Sequence, residues 1–165
     1  MHIREAAAQD LEHIVRLFAQ LGYASDPAQV EQQLRTLEDE RCGRALVAEA
    51  SGALAGIAVV HLIKPIHVPA PWALLSALVV DERSRSVGIG QALLAAAEEF
   101  ALAHGCSQLE LSSSSRRTRA HIFYERNAYR KSACASSRPW PERAHRLRRA
   151  RSDTGCAAWP LSRPR

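Results

Sequence analysis

No stretch of this 165-residue chain is long and apolar enough to cross a bilayer. The longest run without Asp, Glu, Lys or Arg, Pro65 to Val80, contains Pro65, Pro69 and Pro71 and falls short of the ~20 apolar residues that a span requires. The first residues include His2, Arg4 and Glu5 and form no apolar h-region, so no secretory signal is expected and the cytoplasm is the expected compartment. Cysteine is sparse and scattered: Cys42, Cys106, Cys134 and Cys156 make no C-x-x-C pair and have no histidine at finger spacing. Free thiols are expected rather than a disulfide framework or a zinc site, and no metal is expected.

A basic body is missing too. The net charge of +5 divides unevenly: residues 1–129 carry a balance of −3 and residues 130–165 a balance of +8. A basic face on a folded body would point to nucleic acid. Here the excess lies in a segment rich in Arg, Ser and Pro with no apolar period, so nucleic acid is not an expected partner. Arg143 to Arg151 has Leu147 as its one large apolar residue, too little to offset ~1–2 kcal/mol of backbone ordering per residue, and is expected to be mobile.

What is present is one domain's worth of alternating strand and helix patterns. His2 to Ala7 reads as a first strand. Asp10 is placed to cap a helix with Leu11, Ile14, Val15 and Phe18 at helical spacing, ending at Gly22. Asp26-Pro27 opens a second helix with a stripe of Val30, Leu34 and Leu37. Ala45 to Ala50, a Ser51-Gly52 turn and Leu54 to Ile63 read as an apolar hairpin. Trp72 to Val80 is nearly all apolar, as in a central strand covered on both faces. A helix from Gly88 to His104, a strand from Gln108 to Ser112 and a short helix from Arg117 to Arg126 complete the body. The fold class is α/β, with helices laid on a mixed sheet.

The segment from Leu78 to Gln91 carries the chemistry. An apolar strand (Leu78, Val79, Val80) runs through a polar turn (Asp81-Glu82-Arg83-Ser84-Arg85-Ser86-Val87) into Gly88-Ile89-Gly90-Gln91 at a helix start. Glycines there let successive N–H groups converge on an anion at the positive end of the helix dipole, and Arg85 adds charge. A P-loop is excluded because no Gly-Lys-Ser/Thr follows, and a dinucleotide fingerprint because Leu93 stands where a third glycine belongs.

Arg85-Ser86-Val87-Gly88-Ile89-Gly90 resembles the R/Q-x-x-G-x-G/A signature of the GNAT superfamily of acyl-CoA-dependent N-acetyltransferases. The Leu-Val-Val-Asp strand before it, the strand and helix after it, and Arg117-x-x-Ala120-His121-x-Phe123-Tyr124-Glu125 are also similar to that family, over residues 2–132. The resemblance implies a GNAT-like, mostly antiparallel sheet with about four helices, splayed between the strands at Leu78–Val80 and Gln108–Ser112. It implies acetyl-CoA as cosubstrate, with its pantetheine amides on the backbone of Leu78 and Val80, its pyrophosphate on the N–H groups of Arg85, Ser86, Val87, Gly88, Ile89 and Gly90, and Val79, Gln91 and Arg117 as further cofactor-binding residues. It further implies a primary amine of a small molecule or peptide as acceptor, direct attack on the thioester, and Tyr124 as the acid that protonates the leaving thiolate. The alternative is a CoA-binding relative without catalysis. A homodimer is left open.

Three departures stand out. Leu74 lies near the position where many relatives carry a glutamate base, which leaves Glu110, His61 and His67 as candidates. Ala128 stands where the second motif usually has glycine. Residues 133–165 show no final strand, whereas Ala133 to Trp140, back-translated and shifted by two bases, admits Val-Arg-Phe-Val-Lys-Ala-Leu, followed by a codon that can be a stop. Residues 133–165 are therefore expected to be an irregular, out-of-frame segment, with the last strand missing or altered.

Overall fold

The structure, a computed structural model, describes residues 1–50, 52–85, 87–131 and 136–139. The expectations that fall on Ser51, Ser86 and residues 132–135 and 140–165, including the mobility of Arg143 to Arg151, lie outside the described residues.

The strands are β1 (His2–Glu5), β2 (Gly43–Ala50), β3 (Ala53–Ile63), β4 (Trp72–Val80), β5 (Gln108–Leu111), β6 (Arg130–Lys131) and β7 (Ser136–Pro139). They form one sheet in the order β1-β2-β3-β4-β5-β7-β6. Neighbours are antiparallel apart from β4 and β5, which run parallel. Helices α1 (Leu11–Leu21) and α2 (Pro27–Asp39) contribute to a core on one face with Val47, Ile57, Val59 and Val79. On the other face, α3 (Ile89–Ala103) and α4 (Thr118–Arg126) pack over Ala58, Val60, Leu75 and Leu109.

Local sequence accounts for most element ends. Gly22, at φ 97°, stops α1, and the Asp26 carboxylate accepts from the Ala28 N–H at 3.1 Å with Pro27 in the first turn of α2. Asp10 departs from expectation, because its side chain makes no capping bond to α1. It turns back to accept from the Ala7 N–H at 2.8 Å and from both terminal nitrogens of Arg4 at 2.7 and 2.9 Å. The bidentate guanidinium satisfies a buried carboxylate better than a single N–H can, and it holds the Asp10 carboxyl below its usual range. Gly56 is required by close approach. A Cβ there would lie 2.8 Å from the Val79 carbonyl oxygen and 2.9 Å from Leu93, so its absence lets the first turns of α3 settle onto the sheet beside the end of β4.

Two expectations are corrected. Trp72 to Val80 is not covered on both faces throughout: Ala73, Leu75 and Val79 are buried, Ser76 is exposed and Leu78 and Val80 are half-buried. An apolar run signals apolar surroundings but not a neighbour on each side, and β5 leaves β4 after Leu75. A strand also stands inside residues 133–165, since Ser136–Pro139 forms β7 between β5 and β6. Ladder bonds are made by the backbone, so the free edge of β5 recruits this polar four-residue segment despite its lack of apolar alternation.

Candidate active site

The site begins where the parallel ladder ends. β4 and β5 pair from Ala73 opposite Leu109 to Leu75 opposite Leu111, after which β4 continues to Val80 bonded to β3 alone. At the fork, Val59 faces Ala77 while Val60 faces Leu75, so Ser76 is the extra residue of a bulge. Beyond it the antiparallel alternation is fixed by the Asp81 N–H, which donates to the Ala55 carbonyl at 2.9 Å. Counting back, the backbone groups of Val79 and Ala77 point to β3, and those of Val80 and Leu78 point to the open side. The V-shaped gap is therefore lined on one arm by strand N–H and C=O groups with no strand beside them among the described residues.

At the wide end of the V the chain turns into α3. Asp81 accepts from the Arg83 N–H at 2.9 Å, which with a second bond from Gln20 lowers its carboxyl pKa. Gln20, near the end of α1, clasps this turn from both sides: its Nε2 donates to Asp81 at 3.2 Å and its Oε1 accepts from the Glu82 N–H at 3.1 Å. Gly88 is the N-cap of α3 in the left-handed region at φ 84°, with nothing within 4 Å of where a Cβ would stand. A Cβ on Gly90 would fall 3.5 Å from the Phe123 ring and from Val80, which is ordinary contact, so packing does not demand a glycine there. The first-turn N–H groups of α3 have no intrahelical partner, and they open beside exposed Val87. A pyrophosphate fits this arrangement of backbone donors.

The side chains named from the sequence occupy this neighbourhood in different ways. Arg85 is folded back, its Nε 3.4 Å from the Val80 carbonyl. Arg117, the N-cap of α4, gives Nη2 to the Leu21 carbonyl at 2.6 Å, where a cation suits the C-terminal end of α1. Tyr124 packs against the core that includes Leu78 and Val80, its ring 5.2 Å from Phe123 and 5.9 Å from Tyr129. Burial pushes the phenol up to about 12, against the opposing pull of the Arg117 charge. His61 and Glu110, two of the candidate bases, are both opposite Leu74, one on β3 and one on β5, whereas His67 sits exposed in the β3–β4 loop.

Sequence reasoning missed Gln20, whose polar side chain on a helix surface carried no signal. It also missed Ser76, although this is the one polar residue between Trp72 and Val80. A cavity of about 640 Å³ lies elsewhere, at the β1 edge, lined among others by Glu5, Arg35, Arg44 and His104. Among the described residues, no group of three or more His, Cys, Asp or Glu is arranged to hold a metal ion, and no helix is long and apolar enough to cross a membrane.

Residues 8–129 match the family model of the acetyltransferase (GNAT) family. The chain belongs to the GNAT acetyltransferases. It is 29% identical over 139 residues to an uncharacterised N-acetyltransferase, YhfO, of Bacillus subtilis (strain 168), covering 78% of this chain and 89% of that one. Among solved structures, the GNAT fold matches a ribosomal-protein-alanine N-acetyltransferase from Brucella melitensis with a TM-score of 0.75 at 17% identity, over 85% of this chain and 100% of the other. It also matches a transcriptional regulator from Bacillus halodurans C-125 with a TM-score of 0.72 at 23% identity, over 79% and 93%.

Proposed function

We propose that this GNAT protein transfers an acetyl group from acetyl-CoA to a primary amine of a small molecule or peptide. The observation that carries the reading is the open arm of β4, where backbone at Leu78 and Val80 that faces no strand on its open side among the described residues leads directly to the glycine-capped N-terminus of α3. Acetyl-CoA, when bound, supplies an activated thioester. The chain's own groups do the rest. The N–H groups from Val87 to Gln91 and the helix dipole hold the pyrophosphate. Arg85 swings from the Val80 carbonyl to the phosphates, freeing that carbonyl to accept an amide N–H. Strand pairing along Leu78 and Val80 would orient bound acetyl-CoA along β4 toward the fork. Tyr124, kept protonated by burial, gives its phenolic proton to the departing sulfur.

Calorimetry with acetyl-CoA tests the binding half of the reading, with Gly88→Glu as the variant. A side chain at φ 84° strains the cap, and its carboxylate repels phosphate, so binding and the ligand-induced rise in Tm should both vanish. Unaltered affinity in the variant would remove the cradle. Free-CoA release across a panel of polyamines, amino sugars and peptides tests the chemical half. Tyr124→Phe should retain acetyl-CoA affinity and lose about 10²-fold in kcat. An unchanged rate at every pH would reduce Tyr124 to a packing residue.

A further inference from the structure

The acceptor amine must lose a proton at the fork of the V, and Leu74, the residue of β4 just before that fork's last paired position, has no group to take one. The fold gathers the polar groups of Ser76, His61 and Glu110 at this point. Ser76 is the bulged residue at the vertex, exposed, with its Oγ 2.9 Å from His61 Nε2 and 3.3 Å from the Val59 carbonyl. His61 and Glu110 flank Leu74 in one cross-strand row, and directly opposed residues share a face of the sheet. Acetyl-CoA paired along Leu78 and Val80, as proposed above, would point its thioester toward this vertex, where the gap between β4 and β5 closes.

We propose that His61, acting through the Ser76 hydroxyl, is the proton acceptor for the attacking amine. The inference rests on the acetyl-transfer reading above and names the group that completes it. The Ser76 hydroxyl turns its single proton from the Val59 carbonyl to His61 Nε2, in the tautomer that leaves Nε2 free to accept, and takes the amine proton in its place; the amine nitrogen lone pair forms the bond to the acetyl carbon, and the carbon–sulfur bond breaks with the sulfur taking a proton from Tyr124. Protons and charge balance without a further reactant: one proton arrives on the imidazole and one leaves the phenol.

Two observations favour His61 over Glu110. The Glu110 carboxylate is already engaged by the Gln108 amide on its own strand, whereas His61 is joined to the fork through the Ser76 hydroxyl. His61 is half-buried, and desolvation lowers its pKa, so at neutral pH the imidazole is unprotonated and ready to accept. Around it, β2 presents Gly43 directly opposite, with Cys42 beside it, and α2 brings Leu37 over Gly43. Glu110 is two strands away in the row, and Lys64 of the following loop exerts its charge on Cys106. Burial therefore sets the direction of this group's titration.

The test uses the full chain with ethanolamine, spermidine and a tripeptide amine as probe acceptors, following free-CoA release from pH 5 to 9 and acetyl-CoA affinity by calorimetry. In the wild type, kcat should rise with pH through an acid limb below the ordinary histidine value. His61→Gln and Ser76→Ala should each lower kcat about 10²-fold at pH 7. His61→Gln should also abolish the acid limb, with acetyl-CoA affinity intact and with recovery of rate by added imidazole. Nitrogen spectra of histidine-labelled protein give a second measure, in which Ser76→Ala should shift the His61 Nε2 resonance. An intact acid limb in His61→Gln, or one that moves with Glu110→Gln instead, overturns the proposal. Absence of turnover of every probe by a wild type that binds acetyl-CoA sinks the acetyl-transfer reading, and this inference with it.

Discussion

The two halves of β4 have nearly the same composition and opposite duties. Ala73 to Leu75 lies between β3 and β5, its backbone paired on both sides and Ala73 and Leu75 buried. Ser76 to Val80 keeps β3 and loses β5, so alternate residues expose a donor and an acceptor to the gap. In the first half, apolar side chains stabilise the sheet. In the second they line a slot, and the backbone becomes the recognition element. Side-chain chemistry therefore does not distinguish framework from site along this strand. The absence of a neighbour does.

The comparison can be broken first at its structural half. Leu75→Ala removes a side chain that is 3% exposed, and should cost about 2–5 kcal/mol in urea denaturation with little change in acetyl-CoA affinity per folded molecule. A loss well under 1 kcal/mol would mean that the paired half does not anchor the core. Next in size is a proline pair that reads the alternation directly. Val79→Pro deletes an N–H that points to β3 and should destabilise by about 2 kcal/mol. Leu78→Pro deletes one that points into the gap, and should spare most of the stability while weakening acetyl-CoA binding about tenfold. Equal destabilisation by the two prolines would show that both N–H groups serve the sheet. The smallest effect serves as a control. Ala128, in the turn after α4, sits at φ 65°, where a Cβ costs roughly 1–2 kcal/mol. Ala128→Gly should raise Tm by about 2–4 °C, leaving kcat unaltered. A lowered Tm would show that the alanine methyl makes a contact worth more than the strain.

Much of this was legible in the chain. Period and punctuation placed the helices within a residue or two, because residues such as Gly22 and Pro27 act locally on the backbone. The glycine-rich turn into α3 was readable for the same reason. Less legible was anything that depends on where a partner strand stops. Nothing in Leu-Leu-Ser-Ala-Leu states that β5 departs after Leu75, and the row His61, Leu74, Glu110 joins three strands distant in sequence. β7 was invisible because its pairing is made by peptide groups that every sequence possesses. Asp10 shows the opposite failure: a strong local signal for capping was overridden by Arg4, a residue on another element.

The last turn of α1 touches both arms of the V. Gln20 holds the turn after β4 through Asp81 and Glu82, and the adjacent Leu21 carbonyl holds Arg117 at the head of α4, downstream of β5. The gape of the slot is thus fixed at its rim by a brace lying outside the sheet. The segment that leaves this brace, Gly22 and exposed Tyr23, is the start of the α1–α2 connection. A change of sequence or length in that connection pulls on the brace, and so alters the spacing of the two arms without touching any residue inside the slot.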